Sequence, residues 1–463
     1  MKKEYKGLFH NIGIFTLANF TSRFLNFLIL PLYTYYLSTE EYGTIDLVNT
    51  LIQLLFPVFS ITIVDAVLRY SISDKESLDD CFGIGIRIIG IGCIPLVTGG
   101  IIVNYFIRNN VFVICFILIY IVQAFNSLFS AFAKAINKTK QMALITTVTS
   151  LAILSLNVLF VAFFKKGIIG YWISTILGNF IGIFLYVPLC RIDKHFQTLK
   201  NPVNKLLAKK MVTYSLPLIP NALFWWLNSS LDRWTLTLIT SMSLVGLYSC
   251  ANKLPSVLTT INNIFSQAWN LSLFQSRNDN ERKVFFEETY QIYNEVMFCC
   301  TIGIIWLCKF AATFMFSKDF YQAWVYVPVL TFGVYINSLN SFLGSMFTAG
   351  NQTKIIFSTT LVGSIINLVL NFPLVFLCQG MGAAVATLIS YDVVWIMRVY
   401  KIKCKFNIDI NWKSTIIKKI ILLCECIIVI MGTLSIVVSA FVISYCSIFC
   451  IKNLKLLIKT IKK

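Results

Sequence analysis

Long apolar stretches alternate with short polar segments along the whole chain. A helix that crosses a hydrocarbon core of about 30 Å needs about 20 apolar residues. Twelve stretches of suitable length predict spans at Ile12–Leu37, Ile45–Val67, Cys81–Ile107, Val111–Ala133, Met142–Phe164, Ile168–Leu189, Val212–Ile239, Leu244–Phe274, Phe285–Phe316, Trp324–Ala349, Ile355–Cys378 and Met381–Val399. The run Ile416–Ile451 is too long for one crossing and short for two, and it predicts two tight spans. The pattern therefore predicts an all-α polytopic membrane protein with 12–14 transmembrane helices.

Positive charge alternates with these spans. The chain has 39 Lys and Arg against 20 Asp and Glu, a net charge of +19. With the N-terminus inside, 31 basic residues fall in or beside the inner segments, five in the outer segments and three within spans. This is the positive-inside pattern, so both termini are expected in the cytoplasm. The basic segment Met1–Gly7 leads into the first span without a small-residue cleavage site, which predicts a first helix rather than a cleaved signal peptide.

Composition limits the functions that are open to the chain. With 57% apolar residues, the basic residues have no solvated face of useful size for nucleic acid. The 14 cysteines are scattered through apolar stretches without a CxxC pair, so neither a metal site nor a disulfide framework is expected. There is no GxxxxGK[ST] phosphate-binding loop, and we expect no cofactor, no nucleotide and no enzymatic activity.

The chain also contains an internal repeat. Asn137–Asn157, shifted by 214 positions, overlays Asn351–Asn371 with nine of 21 positions identical. A weaker repeat, shifted by 203 positions, pairs Gly43, Asn49 and Leu51 with Gly246, Asn252 and Leu254. Six predicted spans separate the longer copies, so both begin on the same side of the membrane.

Parallel repeats of this kind build two lobes around a central cavity, and rocking of the lobes gives alternating access. We expect an N-terminal lobe at 1–190, a basic interfacial linker at 191–210, a C-terminal lobe at 211–405, and a helical hairpin with a basic tail at 406–463. This organisation is typical of a transporter.

Ionisable residues within or near the spans are candidates for function. Such a residue costs about 2.5–3.5 kcal/mol on insertion scales, so it normally faces a cavity or a partner. Guanidinium and ammonium groups bind phosphate, and the basic candidates for a substrate diphosphate are Arg23, Arg233 and Lys253. Alternatively, Asp232 neutralises Arg233 or Lys253, as Asp65 can neutralise Arg69. The acidic candidates for ion coupling are Asp65, Asp232, Glu295 and Asp392.

Amide side chains form a second candidate set within the spans. Spacing by four residues, as between Asn367 and Asn371, puts both amides on one helix face. The candidates that would line a cavity are Asn26, Asn228, Asn263, Gln267, Asn337, Asn367 and Asn371. Sugars bind to amides and to flat rings, here Trp225, Trp226, Trp234 and Trp269. The alternative is that the amides make hydrogen bonds between helices.

Several segments resemble one family. The sequence LPLYTYYLSTEEYGTIDLVNTL within Phe24–Leu51 resembles the opening of oligosaccharide flippases of the Wzx type, which carry O-antigen and capsular units. The order and spacing of four further segments are also similar: AVLRY at Ala66–Tyr70, LDRWTLTLITSMSLVGLYSCANKL at Leu231–Leu254, SQAW at Ser266–Trp269 and AGNQTK at Ala349–Lys354. The resemblance covers nearly the whole chain and is weakest after about Cys404.

The resemblance implies a two-lobe fold shared with multidrug exporters of the same superfamily. It implies that the substrate is undecaprenyl diphosphate carrying an oligosaccharide repeat unit, flipped from the inner to the outer leaflet of a bacterial inner membrane. The family's cationic cavity would correspond to Arg23, Arg233 and Lys253. Implied partners are membrane lipid, a polysaccharide polymerase and a chain-length regulator, as in lipopolysaccharide biosynthesis.

Two other functions remain open at this point. A cation-coupled multidrug exporter of the same superfamily would be expected to have acidic rather than basic cavity residues. A membrane polysaccharide polymerase usually needs a large external loop with catalytic residues, and the outer loops here are short, such as Ser38–Gly43 and Ser317–Ala323.

Overall fold

The computed structural model describes residues 29–73, 78–200, 202–275, 279–350 and 352–432, and in these ranges it contains helices and no β-strands. Seven of the described helices are long and apolar enough to cross a membrane. The prediction of an all-α polytopic membrane protein is therefore confirmed. Most of the first predicted span, with Arg23 and Asn26, and the end of the last apolar run lie outside the described residues.

The described residues from Ile29 to Leu231 pack as one compact unit, here called the N-terminal unit. Its helices are α1 (Leu30–Tyr36), α2 (Thr39–Phe59), α3 (Ile63–Ser73), α4 (Leu78–Ile107), α5 (Asn110–Ala135), α6 (Thr139–Asn157), α7 (Gly167–Cys190), α8 (Lys205–Ser215) and the first part of α9 (Leu218–Ile239). A π-helical turn, Val158–Phe163, follows α6, and a 3₁₀ helix, Ile192–Lys200, follows α7. The N-terminal unit is built around α5, which packs against α3, α4 and α7.

The remaining described residues form the C-terminal unit, which begins at Asp232 within α9. It contains α10 (Met242–Ala251), α11 (Pro255–Gln275), α12 (Asp279–Met315), a 3₁₀ helix (Lys318–Val325), α13 (Val327–Ala349), α14 (Thr353–Phe406) and α15 (Trp412–Ile430). Helix α14 is interrupted at Gln379, whose φ is 50° and ψ −129°. Hydrogen bonds between Asn367 and Thr387 and between Thr359 and Arg398 show that α14 folds back on itself as a hairpin. Its arms, 353–378 and 380–406, correspond to the predicted spans Ile355–Cys378 and Met381–Val399.

Three predicted spans are each divided into two helices. Ile45–Val67 is interrupted between α2 and α3, where Ile61 and Thr62 have positive φ values of 51° and 48°. Val212–Ile239 is divided between α8 and α9 near Pro217, and Leu244–Phe274 between α10 and α11 at Pro255. Proline lacks the N–H that continues a helix, and apolar composition alone does not reveal the breaks.

The basic segment predicted as an interfacial linker at 191–210 is also helical. It includes the 3₁₀ helix Ile192–Lys200 and the start of α8. Helix α8 packs against α3 and α4, and the Thr62 hydroxyl donates a hydrogen bond to the Ser215 carbonyl at 2.9 Å. Contacts therefore place α8 with the N-terminal unit, and the four-part division of the chain remains a prediction.

Helix boundaries recur at the spacings of the sequence repeat. Helix α6 begins at Thr139 and α14 at Thr353, which are 214 positions apart. Helices α2 and α10 follow Ser38 and Ser241, which are 203 positions apart, and each serine accepts a hydrogen bond from a backbone N–H of the first turn. A serine cap satisfies one of the unpaired N–H groups at a helix start. The weaker repeat therefore has a structural counterpart.

Apolar and aromatic side chains fill the interior of each unit. In the C-terminal unit, the Phe342 ring lies 4.8 Å from Trp269 and 5.1 Å from Tyr293, between ring centroids. The Trp269 indole N–H donates to Ser345 Oγ at 2.7 Å, so this tryptophan belongs to the core and does not offer a free ring to a sugar. On α4 the exposed side chains are largely apolar, among them Ile91 and Ile101, as a helix facing lipid requires.

Candidate functional site

A carboxylate is held inside the C-terminal unit by three neutral hydrogen-bond donors. Asp232 lies on α9. Its Oδ2 accepts from the Tyr248 hydroxyl at 2.7 Å, and its Oδ1 accepts from Asn371 Nδ2 at 2.6 Å. The Thr387 hydroxyl lies 2.8 Å from Oδ2 and 3.0 Å from Oδ1. The carboxylate thus connects α9 and α10 with both arms of the α14 hairpin.

A second layer of polar side chains orients these donors. Asn371 Nδ2 also donates to Asn367 Oδ1 at 3.1 Å. Asn367 Nδ2 donates to Thr387 Oγ1 at 2.9 Å and lies 3.5 Å from Ser390 Oγ. Both asparagines are buried, and they lie on one face of the first arm, as their spacing predicts. We call Asp232, Tyr248, Asn367, Asn371, Thr387 and Ser390 the Asp232 cluster.

The Asp232 cluster has the chemistry of a site for a small cation or a proton. Its potential ligands are oxygen atoms, which hard cations prefer. The side-chain carbonyl oxygen of Asn371 is buried and has no hydrogen-bond partner in the described part of the chain, so the cluster retains one unused acceptor. Arg233 is half-buried and interacts electrostatically with the carboxylate. No group of three or more His, Cys, Asp or Glu side chains that could hold a metal ion occurs in the described ranges.

The sequence pattern identified only part of the Asp232 cluster. It identified the acid and the two amides, but not Tyr248, Thr387 or Ser390. Serine and threonine are frequent in membrane helices, where they bond to their own backbone, as Ser390 Oγ does to the Thr387 carbonyl at 2.8 Å. The chain reverses direction at Gln379, which brings Thr387 beside Asn367. The contact of Thr387 with Asp232 is therefore visible only once the two arms of α14 are seen as a hairpin.

Two other acidic candidates form ion pairs with α15. Glu295 Oε1 lies 2.7 Å from Lys418 Nζ, and Asp392 pairs with Lys419. The Lys419 ammonium also lies 3.3 Å from the centroid of the Trp395 ring. Both lysines are buried, and both lie within the predicted apolar run Ile416–Ile451. In this conformation, Glu295 and Asp392 attach α15 to the rest of the C-terminal unit.

Asp65, the last acidic candidate, is exposed at the start of α3. The expected pairing with Arg69 is not formed. Instead, the Arg69 guanidinium lies 4.3 Å from the centroid of the Tyr214 ring. This cation–π contact supports packing between α3 and α8.

The remaining sequence candidates are spread over several helices. Lys253 is half-buried in the turn between α10 and α11, and its ammonium forms no ion pair within the described part of the chain. Asn263 is half-buried and Gln267 exposed on α11, and Asn337 is exposed on α13. Asn228 lies within α9. Asn263, Gln267 and Asn337 take no part in the Asp232 cluster.

A buried arginine was not identified from the sequence. Arg398, near the end of the predicted span Met381–Val399, was counted among the basic residues in or beside the inner segments, and it is only 6% exposed. It donates to the Asn340 carbonyl at 2.6 Å, to Thr359 Oγ1 at 3.1 Å and to Thr360 Oγ1 at 3.0 Å. These bonds connect both arms of α14 with α13. We assign Arg398 a structural role.

The chain is similar to one protein family in sequence and to known transport proteins in fold. A family model described as "Polysaccharide biosynthesis protein" matches residues 8–270. A solved structure of the lipid II flippase MurJ, in an inward closed conformation, has a TM-score of 0.68 at 16% identity and covers 96% of this chain and 99% of its own. A search of curated protein sequences finds no match.

Multidrug transporters share the fold as well. An inward-facing MATE family transporter of the MOP superfamily has a TM-score of 0.65 at 13% identity, over 84% of this chain and 95% of its own. A Vibrio cholerae MATE transporter, VcmN, has a TM-score of 0.55 at 14% identity, over 87% of this chain and 98% of its own. At these identities the structural likeness shows the fold alone.

Proposed function

Because the chain belongs to the polysaccharide biosynthesis protein family, we propose that it flips a lipid-linked oligosaccharide across a bacterial inner membrane. The substrate would be undecaprenyl diphosphate with an O-antigen or similar repeat unit, moved from the cytoplasmic to the outer leaflet by alternating access. The family match carries this proposal, and the fold shared with a lipid II flippase supports it. A polysaccharide polymerase and a chain-length regulator would use the flipped product.

Basic residues would bind the diphosphate during transport. Arg23, Arg233 and Lys253 are the candidates. Lys253 supports this assignment, because its half-buried ammonium has no acidic partner among the described residues. A phosphate oxygen would offset the cost of holding that charge away from water. The guanidinium of Arg23 would add a planar pair of donors that suits a phosphate group.

The Asp232 cluster would couple transport to an ion gradient. An ion or proton that binds the carboxylate changes its charge and therefore the strength of its hydrogen bonds, because bonds to a charged group are roughly twice as strong as neutral ones. These bonds connect α9 and α10 with both arms of α14. A change at Asp232 would thus alter the packing of four helical segments at once. Asp65, Glu295 and Asp392 are weaker candidates, since the first is exposed and the others are in ion pairs.

A cation-coupled multidrug exporter is the second candidate function. The MATE transporters with the same fold favour it, and so does the carboxylate of Asp232 inside the C-terminal unit. The family match favours the flippase, and so does the Lys253 ammonium, which has no acidic partner among the described residues. Dye efflux from cells that express the chain separates the two functions, because a flippase for lipid-linked sugars is expected to leave dye accumulation unchanged.

We predict that deleting the gene removes surface polysaccharide and leaves its lipid-linked repeat unit on the inner leaflet. The lipid-linked repeat unit continues to be made, but the step that carries it across the membrane is lost. The measurement is mass spectrometry of extracted lipid-linked intermediates, combined with their accessibility to an external periodate reagent. Complementation with the intact gene is the control.

The outcome also distinguishes a polymerase. Single repeat units on the cell surface after deletion would indicate a lost polymerase and contradict the proposal. Normal polysaccharide without accumulation of intermediates would contradict it as well.

A further inference from the structure

The N-terminal unit contains a polar cavity whose described lining includes neither Arg233, Lys253 nor any member of the Asp232 cluster. Its volume is about 270 Å³. Helices α1, α5, α6 and α7 contribute to its wall. The polar side chains lining it, among the described residues, are Tyr33, Asn126, Thr146, Thr149, Ser150 and Asn179. We call this space the N-terminal cavity.

The wall of the N-terminal cavity is polar without being charged in its described part. Asn126 Nδ2 donates to Asn179 Oδ1 at 2.9 Å, so the Asn126 carbonyl oxygen remains available as an acceptor. The Thr146 and Ser150 hydroxyls donate to backbone carbonyls of α6, at 2.9 Å each. The lone pairs of the Ser150 oxygen remain available as acceptors. The cavity therefore presents several acceptors to a ligand with hydroxyl groups.

One polar group in the wall has no hydrogen-bond partner within the described ranges. Thr149 is 7% exposed, and its Oγ1 is buried without a hydrogen bond to any described residue. Most buried polar groups in proteins are hydrogen-bonded, so an exception calls for an explanation. A hydroxyl can both donate and accept. A ligand hydroxyl inside the cavity would satisfy Thr149 and remove this cost.

The internal repeat relates positions of the N-terminal cavity to positions of the Asp232 cluster, and the residue types differ. A shift of 203 positions relates Ile29 to Asp232, and a shift of 214 relates Ile153 to Asn367. Both isoleucines line the N-terminal cavity. In the C-terminal unit, the Asp232 carboxylate accepts direct hydrogen bonds from an amide and two hydroxyl groups. The N-terminal unit lacks that charge at the related position.

We propose that the N-terminal cavity binds one neutral sugar ring of the transported oligosaccharide. This inference rests on the proposed function and adds a sugar subsite to it. Sugar hydroxyls donate and accept, which matches the unpartnered Thr149 hydroxyl and the acceptors around it. Ile29, Ile153 and the Tyr33 ring offer apolar surface to the C–H faces of a sugar. The volume is below the range of about 300–1,000 Å³ for drug-sized ligands and suits a single ring.

Binding of two lipids to the purified full-length protein in lipid nanodiscs tests the proposal. One is the lipid-linked oligosaccharide extracted from the native host, and the other is undecaprenyl diphosphate without sugar. Thr149→Val keeps the side-chain shape and removes the hydroxyl. We expect about tenfold weaker binding of the sugar-bearing lipid, equal to about 1.4 kcal/mol, and unchanged binding of the sugar-free lipid.

Two further variants support the comparison. Ser150→Leu fills part of the cavity and is expected to weaken binding of the sugar-bearing lipid more than Thr149→Val. Thr147→Val removes a hydroxyl from the same helix that donates to the Ala143 carbonyl at 3.0 Å. This control is expected to bind both lipids like the wild type. Thermal unfolding of Thr149→Val should match or exceed that of the wild type, because the variant removes an unpartnered buried hydroxyl.

Three results would contradict the sugar subsite, and they differ in what else they exclude. Wild-type binding of the sugar-bearing lipid by both Thr149→Val and Ser150→Leu would overturn the sugar subsite. Equal weakening for both lipids would also overturn it, since the effect would not depend on the sugar. If the wild type itself binds neither lipid, the proposed function fails, and the subsite fails with it.

Discussion

Replacing Asp232 by Asn is expected to slow translocation of the lipid-linked oligosaccharide by about 5- to 150-fold, the range of a coupling free energy of about 1–3 kcal/mol. The variant keeps the size of the side chain but loses its charge. Its new NH₂ group would face the Asn371 amide and the Thr387 hydroxyl, which now donate to the carboxylate. The measurement is the rate at which the repeat unit reaches the outer leaflet in deletion cells that express the variant.

Matched variants separate coupling from general effects of charge. Asp409→Asn removes a carboxylate that is 78% exposed and pairs with the exposed Lys403, and it should transport normally. Tyr248→Phe and Thr387→Val each remove a donor to Asp232, and their effects should be intermediate. Full transport by a correctly inserted Asp232→Asn variant would show that the carboxylate does not couple an ion to transport.

Replacing Arg23 by Ala is expected to abolish surface polysaccharide, while Arg23→Lys retains part of it. Each hydrogen bond to a charged group contributes about 1.5–3 kcal/mol, so loss of a bidentate phosphate contact lowers transport by at least about 100-fold. Lysine restores the charge but not the planar pair of donors. Quantitative immunoblots of surface polysaccharide measure the effect.

Lys253, which lies in the described part of the chain, provides a second test of the diphosphate ligands. Lys253→Ala should reduce surface polysaccharide, and Lys253→Arg should preserve most of it, because the positive charge is retained. Lys413→Ala, which removes an exposed ammonium at the start of α15, is the control for loss of positive charge. Normal polysaccharide in both Arg23→Ala and Lys253→Ala, with normal membrane insertion, would exclude these residues as diphosphate ligands.

Hydropathy predicted the fold class because lipid imposes a simple rule. A helix in contact with hydrocarbon must be long and apolar, and this signal is visible in any window of the sequence. The breaks after α2, α8 and α10 were missed, because they depend on local backbone geometry within apolar segments. The positive φ values of Ile61 and Thr62 are an example, since neither residue type predicts a turn.

The Asp232 cluster shows a similar limit for functional sites. An acid inside a span is rare enough to identify from sequence, and two asparagines four residues apart share a helix face. Tyr248 and Thr387 have no such signal, since each is distant from Asp232 along the chain. The burial of Arg398, Lys418 and Lys419 has no signal in the charge pattern, which counts basic residues but does not show their partners. Neutral oxygen atoms, ion pairs and an aromatic ring compensate these buried cations.

Translocation by the purified protein in liposomes tests the central claim most directly. The vesicles would contain the lipid-linked oligosaccharide from the native host, and a membrane-impermeant lectin would report its arrival in the outer leaflet. The account predicts that wild-type protein moves the lipid, that Asp232→Asn and Lys253→Ala move it slowly, and that empty vesicles do not. Absence of lipid movement by correctly folded wild-type protein under an imposed proton or sodium gradient, together with dye transport in the same vesicles, would contradict the account.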